Sequence, residues 1–200
     1  MKYQDLSIEN ARPYDEFVEE MNRYVESVDP ETLDGEERTR YDYTKLNAHR
    51  TKRIAKTFTP SVEARAAMEA IDAAQRWTIM TEYWCGDSAQ SAPIIAKLAA
   101  LNSGIELTVF LRDENPTARE YFEANGSKGV PLLAAYDEEG EELFRWGPRP
   151  EEAAALVKRL KAEGEPKEKF VERAHLWYAK DRGKSIEKEI VEAARGAIRD

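Results

Sequence analysis

The amino-acid sequence predicts an α/β protein in which β-strands occupy the middle of the chain and helices lie before and after them. Residues 77–83 are rich in β-branched and aromatic side chains, which is the composition of a buried strand. After a short turn, apolar residues recur at helical spacing over residues 88–101. The chain has 200 residues, of which 42% are hydrophobic, and this is enough to bury one core. We therefore expect one domain with helical flanks rather than two independent domains.

The segment before the first strand is predicted to be helical. Apolar residues recur at helical spacing over residues 13–28 and again over residues 37–58. Ser61 is the predicted N-cap of a third helix that leads into the strand. An apolar stripe must be buried against another element, so we expect residues 1–75 to form a helical extension packed on the core.

The turn between the first strand and its helix holds Cys85, the single cysteine of the chain. A thiol at this place lies near free backbone N–H groups and the positive end of the helix dipole, and both favour the thiolate. We therefore expect a partly exposed, nucleophilic Cys85 whose pKa lies below the ~8.5 of a free cysteine. A single cysteine cannot form an internal disulfide, which is typical of a reducing compartment.

Two motifs and one proline carry a resemblance to a known family. Residues 84–88, Trp-Cys-Gly-Asp-Ser, resemble the W-C-G-x-C active-site turn of the thioredoxin family, with serine at the second cysteine. Pro93 corresponds to the proline that kinks the family's active-site helix. Residues 129–132, Gly-Val-Pro-Leu, are similar to the segment that holds the family's cis-proline. More narrowly, the W-C-G-D turn with residues 111–113 and 146–149 looks like a group of bacterial thioredoxin-like proteins.

The resemblance implies a thioredoxin-like fold, in which helices flank a central mixed sheet. It covers residues 76–162, with a second strand at 105–111 and a closing hairpin of strands at 132–136 and 143–146. Extra helices then lie at both the N- and C-termini, and the C-terminal extension spans residues 163–200. In that extension, Trp177 and Tyr178 either pack on the domain or form a lid or dimer contact.

The resemblance also implies which residues form the site. Cys85 would be the catalytic nucleophile, and Ser88 would hydrogen-bond its thiolate. A substrate would contact the turn and a backbone ledge opposite it: Trp84, Gly86, Asp87, Val130 and Pro131. The peptide between Val130 and Pro131 is expected to be cis and to face Cys85, whereas a trans proline that begins a strand is the alternative. For Asp87, a role as an ordinary acidic residue of the first helical turn is the alternative.

The chain departs from a thioredoxin in ways that limit its chemistry. Ser88 cannot resolve a mixed disulfide, so turnover needs a second thiol from glutathione, another low-molecular-weight thiol or a partner protein. Ile79 and Val109 stand where the family has a buried aspartate and its lysine partner. We expect monothiol exchange on protein or low-molecular-weight disulfides, without a cofactor. The alternatives are a redox-inactive module that binds a peptide or protein partner and, less favoured, a glutathione-transferase-like enzyme.

Charge and composition exclude several other classes. With 39 acidic and 30 basic side chains the net charge is −9, which opposes binding to nucleic acid or an anionic membrane. Because we find no spanning apolar run and no signal core, we expect a cytoplasmic protein. Neither His49 nor His175 has ligand-spaced neighbours, so we expect no metal site. The basic stretch at residues 49–56 is either a solvated helix face or a site for an anionic substrate or partner. The oligomeric state is not predicted.

Overall fold

The structure, a computed structural model, describes residues 2–123 and 129–197. In these ranges the chain forms eight α-helices and a five-stranded sheet. The elements follow in the order β1 (Arg12–Pro13), α1 (Tyr14–Ser27), α2 (Gly35–Thr57), α3 (Val62–Glu69), β2 (Gln75–Thr81), α4 (Gly86–Ala99), β3 (Ile105–Leu111), α5 (Pro116–Glu123), β4 (Leu132–Tyr136), β5 (Glu142–Trp146), α6 (Glu151–Ala162), α7 (Lys167–Asp181) and α8 (Lys184–Gly196).

The sheet is mixed, and its strand order is β1-β3-β2-β4-β5. Strands β2 and β3 run parallel, while β1 pairs antiparallel with β3, β4 with β2, and β5 with β4. The predicted fold class, a thioredoxin-like central mixed sheet flanked by helices with extra helices at both termini, is confirmed. Because α4 starts directly beyond the carboxyl end of the central strand β2, the turn at Cys85 lies at the edge of the sheet formed by the strand ends.

The sequence misses one strand and shifts another. Residues Arg12–Pro13 form β1, although residue 13 is predicted to begin a helix. A two-residue strand has no periodicity to detect, and its proline lies on an edge strand, where a missing N–H group is tolerated. Strand β2 is Gln75–Thr81, so it begins and ends two residues earlier than predicted. Strands β3 and β4 have the predicted bounds.

The apolar pair that replaces the family's buried ion pair lies in the centre of the sheet. Ile79 and Val109 are partners in the parallel ladder of β2 and β3, and both are fully buried. They belong to a core that also contains Trp77 and Ile95 and reaches into α8 through Ile186. The strand interior therefore gains apolar packing where a charged pair would carry a desolvation cost.

The two helical extensions are tied to this core by buried side chains and hydrogen bonds. In the N-terminal extension, Phe17 joins the main apolar cluster, and Asn47 donates a hydrogen bond from Nδ2 to the Tyr83 carbonyl at 3.0 Å. Ser61 caps α3 as predicted, because its Oγ accepts from the Ala64 N–H at 3.0 Å. In the C-terminal extension, Tyr178 is buried in the same cluster. The division of the chain at residues 75/76 and 162/163 stays a prediction.

Candidate functional site

A cleft of about 260 Å³ lies at the turn between β2 and α4. One side is formed by the turn, Val130 and Arg149, and the other by side chains of α2 and α7. The apolar part of the lining comes mainly from the following residues of α6 and α7: Val157, Phe170, Val171 and Ala174. The cleft thus lies between the sheet edge and both helical extensions.

Cys85 is the N-cap of α4 and lines this cleft. Its Sγ lies 3.1 Å from the Val130 carbonyl oxygen, to which the thiol donates a hydrogen bond. Only 8% of the residue is exposed. Burial raises the pKa of the Cys85 thiol, and the Asp87 carboxylate raises it further. Hydrogen bonds from the Ser88 hydroxyl and from the backbone N–H groups of Ser88 and Asp87 offset this rise only in part.

The expectation of a partly exposed Cys85 with a lowered pKa is therefore wrong. The argument from the helix N-terminus considers only local dipoles, and those dipoles do favour the thiolate here. It leaves out the packing of distant segments, such as Val130 and α2, around the sulfur. Removal of the thiol from water raises the pKa of Cys85 by more than the hydrogen bonds lower it, because desolvation disfavours the charged thiolate.

Ser88 lies on the buried side of the turn. Its Oγ accepts a hydrogen bond from the Thr81 hydroxyl at 2.6 Å, which leaves the Ser88 proton available to the Cys85 sulfur. The structure thus places Ser88 where the sequence predicts it, next to the thiol and in its hydrogen-bonding network. Serine stabilises the thiolate here but supplies no second thiol.

The predicted ledge opposite Cys85 is present. The peptide between Val130 and Pro131 is cis, as predicted, and Val130 faces the thiol directly. A second cis peptide joins Gly147 to Pro148, directly after β5. Gly147 has φ +117°, and a Cβ atom there would overlap the Pro131 carbonyl oxygen. Only glycine therefore allows the two cis segments to pack against each other.

Asp87 joins the turn to two distant elements. One carboxylate oxygen pairs with the Arg149 guanidinium at 2.5 Å, and the other accepts from the Tyr178 hydroxyl at 2.9 Å. Burial lowers the pKa of Arg149, but Asp87, Tyr178 and Cys85 outweigh it, so the pKa is raised and the cation is stabilised. Asp87 is thus a tether between the turn, the segment after β5 and α7, in addition to its place in the first helical turn.

Gly86 gives room to two side chains from the helical extensions. A Cβ atom on this residue would lie 2.8 Å from His175 Nε2 and 3.4 Å from Arg50 Nη1. His175 Nδ1 is 3.2 Å from the Gln90 amide nitrogen. Burial, together with the positive charges of Arg50, Arg149 and Arg53, lowers the pKa of His175 to about 4. The imidazole is therefore neutral at physiological pH.

Trp84 forms an aromatic wall beside the turn. The guanidinium carbons of Arg40 and Arg112 each lie 5.5 Å from a Trp84 ring centroid, within cation–π range. Its indole nitrogen Nε1 is buried without a hydrogen-bond partner in the part of the chain that the structure describes. Arg112 also pairs with Asp113 at 2.8 Å. The predicted contact residues Trp84, Gly86 and Asp87 all line the cleft, as does Val130.

Glu82 is a separate polar centre on the other side of the turn. Its Oε1 accepts from the Asp113 N–H at 2.8 Å. Burial raises the pKa of Glu82, although the hydrogen bond to Asp113 and the nearby Arg112 partly oppose this effect. Glu82 does not line the Cys85 cleft, whereas Arg112 does.

Sequence reasoning misses three side chains that complete the cleft, namely Arg50, Arg149 and His175. Arg50 belongs to the basic stretch 49–56, and Arg149 belongs to the W-G-P-R motif, so each has a weak signal. His175 carries none, since its contact with Gly86 joins positions far apart in the chain. Among the described residues, no three His, Cys, Asp or Glu side chains are grouped so as to hold a metal ion. In the same ranges, no helix has the length and apolar character to cross a membrane.

Comparison with known proteins adds a family and a fold. A family model described as thioredoxin matches residues 36–162, which is more than half of the chain. A protein of unknown function from Pseudomonas aeruginosa has a similar structure, with a TM-score of 0.63, 16% sequence identity and 99% of both chains covered. An HIV epitope-scaffold has a TM-score of 0.64 at 16% identity, with 99% of this chain and 100% of that chain covered. At such identities the two structures support the fold alone. A comparison with curated proteins found no match.

Proposed function

The chain belongs to the thioredoxin family, and we propose that it carries out thiol–disulfide exchange through Cys85 as a monothiol, with an external thiol as the resolving group. The substrate is a protein disulfide or a low-molecular-weight disulfide. The external thiol is a small molecule such as glutathione or a thiol of a partner protein. No cofactor is needed, because sulfur atoms of the protein and its substrates carry all the electrons.

The position of the Cys85 thiol is the observation that supports this proposal. Its Sγ lies 3.1 Å from the Val130 carbonyl oxygen, beside the cis peptide and at the wall of the cleft. A disulfide lying along the Val130–Pro131 backbone would therefore bring a sulfur atom next to Cys85. Ser88 and the backbone N–H groups of the first turn of α4 stabilise the thiolate that attacks.

The exchange has two balanced steps. The Cys85 thiolate attacks one sulfur of the substrate disulfide, the substrate sulfur–sulfur bond breaks, and the displaced sulfur leaves as a thiolate. An external thiolate then attacks the substrate sulfur of the mixed disulfide, and Cys85 leaves as a thiolate. The two electrons taken up by the first leaving group are supplied by the external thiol, which ends in a new disulfide with the remaining substrate fragment.

The second candidate is a redox-inactive binding module for a peptide or protein partner. The burial of Cys85 and its raised pKa favour this function, since the resting thiol is protonated at neutral pH. In this case the Val130–Pro131 ledge and the cleft bind the partner, and Cys85 contributes packing and a hydrogen bond to Val130.

Reaction with a small aromatic disulfide that releases a coloured thiolate separates the two functions. We expect the folded protein to release one equivalent, at a rate that still rises with pH above the ~8.5 of a free cysteine because burial raises the Cys85 pKa. The Cys85→Ser variant should release none. If the folded protein stays unmodified while the same chain unfolded in guanidinium reacts, the binding module replaces the exchange function.

Ser88→Cys tests whether the turn has the geometry of a dithiol site. Ser88 is three residues after Cys85, and its hydroxyl interacts with the thiol, so we expect the variant to form a reversible intramolecular disulfide under mild oxidation. Mass spectrometry should then show the loss of two hydrogens in the variant. The wild-type chain, oxidised in the presence of glutathione, should instead stop at a mixed disulfide between Cys85 and glutathione. A variant that remains a free dithiol under oxidant would show that the two side chains do not meet.

We further propose that the chain belongs to the bacterial W-C-G-D group with a single active-site cysteine and acts in the cytoplasm. The motif at residues 84–87 supports the first proposal, and the lone cysteine supports a reducing compartment. Oxidation state measured in cells by rapid acid trapping tests the compartment, because the reduced thiol is expected there. Neither nucleic acid nor membrane is proposed as a partner.

A further inference from the structure

We propose that the Cys85 cleft takes a small anionic substrate, a thiol or disulfide whose carboxylate is bound by Arg50 over the first turn of α4. This proposal rests on the exchange function and names the chemical class of its substrate. It depends on the position of Arg50, on the charge of the cleft lining, and on the size and apolar character of the remaining walls.

Arg50 lies at the reactive turn without an acidic partner. Its Nη1 is 3.4 Å from the place a Gly86 Cβ would occupy, one residue after Cys85. The same nitrogen donates to Asn47 Oδ1 at 3.0 Å. Within residues 2–123 and 129–197, no carboxylate oxygen lies within 4.0 Å of the Arg50 guanidinium, although 18 other ion pairs meet that limit. A half-buried arginine without a counter-ion is suited to an anion from outside the chain.

Arg50 lies beside the start of α4, because its Nη1 is 3.4 Å from the Cβ position of Gly86. The first turn of a helix carries free N–H groups and the positive end of the dipole, so Arg50 and the helix terminus act in the same direction. Burial lowers the pKa of Arg50, and the neighbouring Arg53 lowers it further, whereas Tyr43 and Asp87 oppose this change only in part. A bound carboxylate would add to the compensation that Asp87 supplies and would stabilise the guanidinium cation.

The lining of the cleft is positive in a protein that is negative overall. Its cations are Arg50, Arg112, Arg149 and Lys167, of which Arg112 is paired with Asp113 outside the lining. Asp87 is the one acidic residue among the described residues of the lining, and it is already paired with Arg149. The chain as a whole has a net charge of −9. Such a local reversal of charge concentrates anions at the site and repels cations.

The remaining walls limit the substrate to a small molecule with an apolar part. The volume of about 260 Å³ is below the ~300–1,000 Å³ of sites for drug-sized ligands. Phe170 and Val171 of α7 cover one side. Two lining residues, Trp84 and Arg149, also carry buried N–H groups, Nε1 and Nε, that lack an acceptor among the described residues. A short thiol with a carboxylate offers an anion for Arg50 and apolar carbons for these walls.

The test compares three small disulfides of similar length, namely anionic 3,3′-dithiodipropionate, neutral bis(2-hydroxyethyl) disulfide and cationic cystamine. Mixed-disulfide formation on Cys85 is followed by mass spectrometry, and each rate is divided by that of the chain unfolded in guanidinium to remove intrinsic reactivity. We expect this folded-to-unfolded ratio to be about tenfold higher for the anionic than for the cationic disulfide, and the difference to shrink with added salt. Equal ratios would overturn the proposal and leave the exchange function intact.

Arg50→Gln should remove most of the anionic preference. Lys52→Gln is the matched control, since it changes the same charge on the same helix at an exposed position outside the cleft, and it should keep the preference. Because Arg50→Gln also alters a half-buried contact, Arg50→Lys is compared with it; the lysine variant keeps the charge and should retain the larger part of the preference. Loss of the preference in Lys52→Gln, or its persistence in Arg50→Gln, would contradict the assignment.

A binding measurement separates failure of this inference from failure of the exchange function. The Cys85→Ser variant, which cannot exchange, is mixed with the unreactive thioether 3,3′-thiodipropionate, and its thermal midpoint is recorded. The anion should raise the midpoint, and a cationic thioether of equal length should not. If no disulfide reacts but this stabilisation occurs and disappears with Arg50→Gln, the exchange function is wrong and the anion site stands. If the anion gives no stabilisation, the anion site is wrong.

Discussion

The two sides of the cleft are built in different ways. The core wall consists of the Cys85–Gly86 turn, Val130 and Arg149; the backbone positions the turn and Val130, and an ion pair with Asp87 holds Arg149. The flank wall consists of Arg50 from α2 with Phe170 and His175 from α7, and contacts between side chains hold them there. The core wall carries the thiol and its hydrogen bonds, whereas the flank wall contributes charge and removes the thiol from water.

This difference indicates a division of roles. The chemistry at Cys85 depends on elements inside the family match at residues 36–162. His175, which contacts Gly86 directly, lies outside that match, while Arg50 lies near its start. The side chains of the flank wall can therefore vary without a change in the backbone around the sulfur. The predictions below disturb the core wall first, then the flank wall, and last the place where the two walls meet.

The largest expected effect is on the core wall, through Gly147→Ala. A methyl group there would overlap the Pro131 carbonyl oxygen, and φ of +117° is unfavourable for alanine. We expect the free energy of unfolding to fall by roughly 3 kcal/mol or more, measured by urea denaturation. Gly164→Ala is the control, because Gly164 also has a positive φ, +76°, but nothing lies within 4 Å of its Cβ position. Equal losses in the two variants would mean that backbone strain alone, and not contact with the ledge, explains the effect.

Asp87→Asn weakens the link between the two walls. The variant loses the ion pair with Arg149, a partly buried cation, and weakens the hydrogen bond from Tyr178, so we expect a loss of about 2 kcal/mol in the free energy of unfolding. Burial is the main cause of the raised Cys85 pKa, and the Asp87 carboxylate is the next. The pH midpoint of Cys85 alkylation should therefore move downward in this variant.

Asp42→Asn is the control for Asp87→Asn, since Asp42 pairs with Arg38 on an exposed helix face. It should change stability by no more than about 0.5 kcal/mol and leave the alkylation midpoint unchanged. An unchanged midpoint in Asp87→Asn as well would show that the carboxylate does not act on the sulfur.

The core wall was largely predictable from the sequence, and the reason is local. The turn at residues 84–88 and the segment at 129–132 are short motifs that resemble the active-site turn and the cis-proline segment of the thioredoxin family, so each could be recognised from a few neighbouring residues. The same resemblance located β3 and β4, because the order of elements in the family places strands at these segments.

The flank wall was not predictable, because its contacts join residues far apart in the chain. An amphipathic pattern predicts that α2 and α7 pack on the domain, but the rotation of each helix about its axis decides whether Arg50 or a neighbouring cation enters the cleft. The same limitation explains the wrong prediction for Cys85. Its local dipoles were identified, while the burial that dominates its pKa comes from segments distant in sequence.

The pH dependence of the free energy of unfolding tests the environment of His175 in the flank wall. Its pKa is about 4 in the folded chain and 6.5 for an ordinary histidine, so between these values the unfolded chain binds a proton that the folded chain does not. The free energy of unfolding should therefore fall as the pH is lowered from about 6.5 to 4, by about 1 to 2 kcal/mol after allowance for the partly exposed ring.

The His175→Gln variant isolates this contribution from other groups that titrate in the same range. Subtracting its pH profile of unfolding free energy from that of the wild type should leave the histidine slope alone. Parallel profiles over the whole range would mean that His175 is not held neutral against Arg50, Arg149 and Arg53.

The smallest effect on stability, and the sharpest test of how the two walls meet, is expected from Gly86→Ala. The new methyl group would lie 2.8 Å from His175 Nε2 and 3.4 Å from Arg50 Nη1, and both atoms are at the ends of flexible side chains that can move aside. We therefore expect the free energy of unfolding to change by less than about 1 kcal/mol, since alanine also has the higher helix propensity. The methyl group would nevertheless stand against the Arg50 guanidinium, where it hinders the approach of a carboxylate, and should reduce the preference of Cys85 for the anionic disulfide. Gly196→Ala, with nothing within 4 Å of its Cβ position, should leave both quantities as in the wild type. A Gly86→Ala variant that keeps the full anionic preference would show that the walls act independently, and that the charge of the flank wall does not reach the reactive turn.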